Sequence, residues 1–337
     1  MHRQSARLAA LALGLLLTAC NFEKKAPSAP APVAPNEAQA RAFAEKFIEL
    51  LAEPDVPGAT AMIDWDTLLA RATADTYGSP RNLASFIKGA KSPESLASYV
   101  QQLSNSAQAG AQVKFLRVRG DETGRSVLVR VLHPTGGVNY HELLLTNDKG
   151  VVRAVDVYVY AAGEYMSDVM RRMYKTATAA KQPFIDRLLG KKHPAMQMAT
   201  MYKEMAEKTT SGRHAEAVAL FKRMPPELRR EKSAFILYVT ASSSMDEEQY
   251  RSAIEELRAA FPNDAGLDLM LIDGYVLRQR YDDALAAIDR LDRDLDGDPY
   301  LDLLRASTCR LKRDEHNAVR YTRRAVEREP ELAALMR

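Results

Sequence analysis

Three stretches carry residue types whose spacing could do chemistry. In DRDLDGD, Asp292, Asp294, Asp296 and Gly297 stand where a calcium-binding loop alternates oxygen ligands and then turns sharply. The closing bidentate acid is missing, since Leu303 occupies its place and Pro299 interrupts the loop, so an acidic turn between helices is expected and no metal. HPAMQMATMYKEM offers His193, Met196, Met198, Met201 and Met205, soft ligands that would suit Cu(I). Met198, Met201 and Met205 share one helical face, however, which is how gap-filling core methionines are spaced. Finally, His133 or His141, with Tyr140, Asp156 and Tyr158, could line a cup able to hold a small molecule. His141 and Glu142 are strand neighbours pointing to opposite faces, so they cannot act as one acid and base unit.

Other reactive groups read as structural. Cys309 sits within a helical pattern with no electropositive setting beyond Arg310 and is expected to fill a small gap. Arg320, Arg323 and Arg324 fall at i, i+3 and i+4 on one helix face, which could receive an acidic partner segment or simply face water. Phosphate loop, nucleophile elbow and metalloprotease helix are all missing from the sequence, so neither enzymatic activity nor a cofactor is expected. The chain has 337 residues, 46% hydrophobic and 27% charged, enough for about two domains with ordinary cores. Its net charge of +3 creates no general basic field, which argues against nucleic-acid binding.

The elements that must position these residues follow from periodicity. From Asn36, the residues Phe43, Phe47, Leu50 and Leu51 repeat as an amphipathic helix, stopped by Pro54, Pro57 and Gly58. Shorter helices follow near IDWDTLLARA and Phe86, and another begins at Ser92 as cap with Pro93 in its first turn. VKFLRVR, SVLVRVLH, VNYHELLL and VVRAVDVYVY are β-rich runs separated by turn residues, which predicts a four-stranded antiparallel meander. Strict alternation would put Val151, Arg153, Val155, Val157 and Val159 on one face of the last strand, the valine side being the core face. Helices then covering one side of the sheet make an α+β domain over residues 37–162. Its element order resembles the NTF2-like cone, and NYHELLLTNDKGVVRAVDVYVYAAGE resembles part of a bacterial family, without an assigned activity, that continues into helical repeats.

A connecting helix is expected over 163–194, and after it the sequence repeats itself. YDDALAAIDRL and HNAVRYTRRAV place Ala284 and Ala318 one repeat apart, a period of roughly 34 residues that suits stacked helical hairpins. Ala253 and Ala217 mark two earlier copies, the first interval slightly longer than that period and the second slightly shorter. Together with Tyr250, Tyr281 and Pro330 these motifs resemble tetratricopeptide repeats, which implies an all-α solenoid over 195–337 with a concave surface for peptides or proteins. Ala306 matches the family's small residue on a first helix, whereas Ile272 takes that place one repeat earlier. By the same resemblance Asp273, Tyr300 and Arg310 match positions that face the groove.

The leader supplies an address. Leu8 to Ala19 is uncharged and follows Arg3 and Arg7, but it is shorter than the roughly 20 apolar residues a span needs. It reads as a signal peptide over 1–19. Leu17, Thr18, Ala19 and Cys20 resemble a bacterial lipobox, which implies a lipidated Cys20 and, with Asn21 next, sorting to the outer membrane. Residues 20–36 then form a tether rich in proline and alanine, its extended part reaching about 30 Å at roughly 3.1 Å per residue. The expected protein is a lipid-anchored periplasmic adaptor whose partner is an envelope protein or peptide. The alternative is a small-molecule or isomerase-type cup in the first domain, with the repeats as an assembly handle.

Overall fold

The computed structural model describes residues 33–74, 76, 79–134, 137–179, 194–262 and 264–336. The leader, Cys20 and most of the tether lie outside the described residues, as do His193 and the side chains of Met196 and Met198. Residues 34–337 form one contiguous unit.

Five helices come first: α1 (Glu37–Ala52), α2 (Val56–Ala61), α3 (Trp65–Thr73), α4 (Pro80–Ala90) and α5 (Pro93–Gln108). Asn36 starts α1 with a capping box, its side chain accepting from the Gln39 amide at 2.8 Å while Gln39 accepts from the Asn36 amide at 2.9 Å. The expected stripe of Phe43, Phe47, Leu50 and Leu51 is buried. Ser92 caps α5 ahead of Pro93, as the sequence requires.

The meander follows as β1 (Gln112–Asp121), β2 (Gly124–Leu132), β3 (Val138–Asp148) and β4 (Val151–Val159), in sequence order and antiparallel. A two-residue β5 (Glu164–Tyr165) pairs with Tyr158 and Val159 and makes the sheet five-stranded. One face carries Val127, Val129, Val131, Leu143, Leu145, Ala154 and Val157 into a core shared with α1, α3 and α5. The alternation expected in β4 is corrected here. A register shift between Leu144 and Leu145 resets the side-chain period by one residue, so Val152 and Ala154, not Val155, join Val157 and Val159 against the helices.

After α6 (Met166–Ala179) come α7 (Pro194–Thr210) and α8 (His214–Lys222), the short α9 (Pro226–Arg229), α10 (Lys232–Ser242) and α11 (Glu247–Ala260), α12 (Ala265–Leu277) and α13 (Tyr281–Asp294), α14 (Pro299–Leu311) and α15 (Glu315–Arg328), and a closing 3-10 turn at Pro330–Met336. The helices pair as hairpins. Ala217, Ala253, Ala284 and Ala318 are fully buried, because a methyl-sized side chain lets the paired helices approach. The long interval between the first two contains the extra turn α9. Ile272 is buried too, and Gly274 two residues on leaves room for the phenol of Tyr250, which a Cβ there would strike.

The sheet's second face is not solvated. Leu128, Tyr140 and Tyr160 belong to the same core as Ala284, Ile288 and Leu301 of the repeats, and Leu132 packs with Tyr300 and Leu303. Burial on both faces explains why every residue from Ser126 to Leu132 is buried. No helix among the described residues is long and apolar enough to cross a membrane.

Candidate functional site

On the first helix of each hairpin, Gly266, Met270, Asp273 and Leu277 of α12 form one stripe, and Tyr300, Leu304, Ser307 and Leu311 of α14 form its counterpart one repeat later. The structure divides both stripes across the middle. At the N-terminal ends the sheet sits on them. A Cβ on Gly266 would meet Gly163, the Tyr158 hydroxyl and the Tyr160 carbonyl, while Tyr300 is buried in the cluster that contains Leu132. Met270 and Leu304 pack against the core that holds Leu128 and Tyr140. At the C-terminal ends Asp273 and Ser307 are exposed, and Leu277 and Leu311 are 84% and 53% exposed. Two large apolar side chains at the same position of successive repeats therefore face outward together.

The covered half is held by a charged clamp that reads the repeat period. Asp264 and Asp298 open α12 and α14 and stand at the same position of successive repeats. The Tyr158 hydroxyl donates to Asp264 at 3.0 Å, and Lys232 pairs with the same carboxylate. The Tyr140 hydroxyl donates to Asp298 at 2.7 Å, and Arg130 donates to its other oxygen at 2.6 Å. Each turn thus meets one phenol from the sheet and one cation. Arg130 continues to Glu329, Tyr160 donates to Asp294 at 2.8 Å, and Arg117 reaches the carbonyls of Asp296 and Gly297. Burial, reinforced by Asp298, pushes the Tyr140 phenol far above its ordinary range, so it stays a donor at any physiological pH. Burial also opposes the charge on Arg130, but Asp298 and Glu329 overcome that and hold it protonated.

The residues grouped as a cup are not brought together. Tyr140 and Tyr158 point into the clamp. Asp156 accepts from the Ser167 hydroxyl at 2.6 Å and from Arg71 Nε at 3.0 Å, fastening the start of α6 to α3. His141 lies on the opposite face from Tyr140, with Nδ1 3.1 Å from the Tyr99 hydroxyl and Nε2 3.2 Å from the Asn139 amide. Burial lowers its pKa to about 4, so the ring is neutral. Alternation sends His141 to the other core, whereas Tyr140, Asp156 and Tyr158 share one face and are kept apart along it by their own partners, Asp298, Ser167 with Arg71, and Asp264.

The acidic turn is likewise divided among protein partners. Asp292 accepts from the Asp298 amide at 3.0 Å and pairs with Arg305 at 2.9 Å, while Asp294 and Asp298 face the sheet's tyrosines. Cys309 is buried, and desolvation pushes its thiol up, away from reactivity. Met205 is buried and Met201 packs against the same core. Of the arginine stripe, Arg324 donates through Nε to the buried Asp302 at 2.7 Å, Arg320 lies 4.9 Å from the Tyr321 ring, and Arg323 is exposed. Arg310, the third groove position named from sequence, donates to the Thr322 hydroxyl at 2.9 Å and remains exposed.

Sequence reasoning missed one signal that was available. Asp268 and Asp302 recur at the repeat period, as do Arg290 and Arg324, and each pair forms the same bridge, with Nε to carboxylate distances of 3.1 and 2.7 Å. Residues 244–307 match the tetratricopeptide repeat family. No curated protein and no solved structure is matched.

Proposed function

We propose that this protein is a non-enzymatic adaptor, tethered through a lipidated Cys20 to the periplasmic face of the outer membrane, which holds an extended or helical segment of an envelope protein against the open half of its repeats. The tetratricopeptide match supports the protein-binding part of this reading, since solenoids of this kind bind peptides along the first helices. The observation that carries it is the outward pair Leu277 and Leu311, with exposures of 84% and 53%, while every other leucine of the described repeat helices is buried or half-buried. Around that pair Asp273 and Arg310 supply polar rim groups, so the partner segment presents an apolar ridge flanked by hydrogen-bonding side chains.

The test is site-specific photocrosslinking from position 277 or 311 in intact cells, compared with chains carrying Leu277→Asp or Leu311→Asp at the neighbouring position. The expected outcome is a reproducible crosslinked species that the charged substitution removes. A crosslinking pattern unchanged by the aspartates would sink the groove reading.

A further inference from the structure

A second site lies on the opposite side of the sheet, independent of the repeat groove. Helices α3, α4, α5 and α6 and the end of β4 enclose a half-open cavity of about 880 Å³, within the size range of small-molecule sites. Its walls are Trp65, Phe86, Val159, Met166, Met170 and Met173. Three observations point to an occupant. Helix α4 spans Pro80–Ala90, yet not one of its residues is buried, although Leu83, Phe86 and Ile87 give it an apolar side. A short amphipathic helix draws its stability from covering that side, and here the cover is partial: Phe86 lies against Tyr174, ring centroids 5.0 Å apart, and lines the void, while Leu83 and Ile87 are only half-buried. Next, Gly89 lines the void within the last turn of α4, and a Cβ built on it would meet no atom within 4 Å. Glycine costs a helix about 1 kcal/mol relative to alanine, so the space is kept at the expense of local stability. Last, among the described residues no lysine or arginine lines the cavity; the charged ones that do are Glu94 and Glu164, and Glu164 is paired with Arg172. Its Tyr99 wall is backed by His141.

We propose that this cavity is a binding site for an uncharged, apolar small molecule. The carboxylates at its margin and the lack of cations among the described lining residues disfavour fatty acids, phosphates and sulfonates, while the Tyr99 hydroxyl, Gln102 and Ser98 offer neutral hydrogen-bonding groups for one polar end. The methionines of α6 adapt to ligands of differing outline because their side chains are unbranched.

The experiment titrates the full chain with the neutral fluorophore N-phenyl-1-naphthylamine and reads energy transfer from Trp65, the single tryptophan and itself a cavity wall. Expected is saturable binding of one probe per chain. Gly89→Ala, Gly89→Leu and Gly89→Phe should weaken it in that order, at least tenfold for Phe, with unchanged far-UV circular dichroism. The anionic 8-anilinonaphthalene-1-sulfonate should bind at least tenfold more weakly, and Leu311→Asp should leave the neutral probe's affinity unchanged. Equal affinity of Gly89→Leu and the parent, equal affinity for the sulfonate, or transfer that appears only as the chain dimerises would overturn the proposal. The last outcome would assign the cavity to a second copy of the chain.

Discussion

Removing two hydroxyl groups tests whether sheet and repeats are one cooperative body. Tyr140 and Asp298 are both fully buried, so Tyr140→Phe leaves one carboxylate oxygen of Asp298 with no water to replace the lost donor. A hydrogen bond to a buried charged acceptor contributes about 1.5–3 kcal/mol, and the enclosed geometry places this one at the upper end, about 2.5 kcal/mol. Tyr158→Phe removes the matching bond to Asp264, whose side chain is 19% exposed and keeps Lys232 as partner, so water can take over and the cost falls to about 1 kcal/mol. Chemically identical changes should thus differ by about 1.5 kcal/mol through burial alone, and the double variant should cost about their sum, since the two acids do not share a partner. Urea unfolding measures this, followed by Trp65 emission for the first half and far-UV circular dichroism for the repeats. With a slope of about 3 kcal/mol per M, the Tyr140→Phe midpoint should drop by somewhat under 1 M in both signals together. Equal costs for the two variants would refute the burial argument, and a shift of the Trp65 signal alone would refute the shared core.

Two further outcomes follow from single groups. Burial holds His141 at about 4 in the folded chain against 6.5 when exposed, so on acidification the unfolded chain takes up the proton first. The His141 contribution is therefore complete above pH 6.5 and is lost as pH falls towards 4, on the order of 3 kcal/mol in all, and His141→Gln should flatten the stability curve in that window; an unchanged slope would contradict it. In cells given labelled palmitate, Cys20→Ala should take up no label, and label equal to the parent's would remove the lipid anchor from the proposed function.

The repeat period was legible because close helix contact leaves a mark on composition. Ala284 and Ala318 are small for the reason that makes them buried, and their spacing could be read without any partner in view. The same spacing in Asp264 and Asp298 was open to reading but carried no meaning, since charges in turns ordinarily face water and the phenols that bind them lie more than a hundred residues away. Arg130 misleads for a related cause: within an alternating strand it marks a solvated face, and only the repeats' acids show why a guanidinium is fully buried there. In β4 the extra residue at the register shift takes Val151 and Val155 off the core face that Val157 and Val159 keep, and a bulge has no residue type of its own to announce this. The cavity was least visible, as unfilled volume is not a property of any residue. Its one trace is Gly89, a glycine near the end of a helical pattern, where glycine is common for other reasons.

The clamp also decides what the open groove can accept. At about 1.5 Å per residue, the 13 residues of α12 or α14 measure about 20 Å, and the sheet takes the N-terminal half. A strip of about 10 Å remains, the width of one helix or one extended chain and too narrow for a folded domain. Because the sheet grips the opening turns of two successive repeats through Asp264 and Asp298, it fixes the angle between α12 and α14 and with it the separation of Leu277 and Leu311. Under the proposed function a partner would meet a surface already in its binding geometry and lose little free energy to ordering it, so that a narrow strip could still hold a segment firmly. On the proposed reading, the fused sheet shapes the recognition surface without touching the partner.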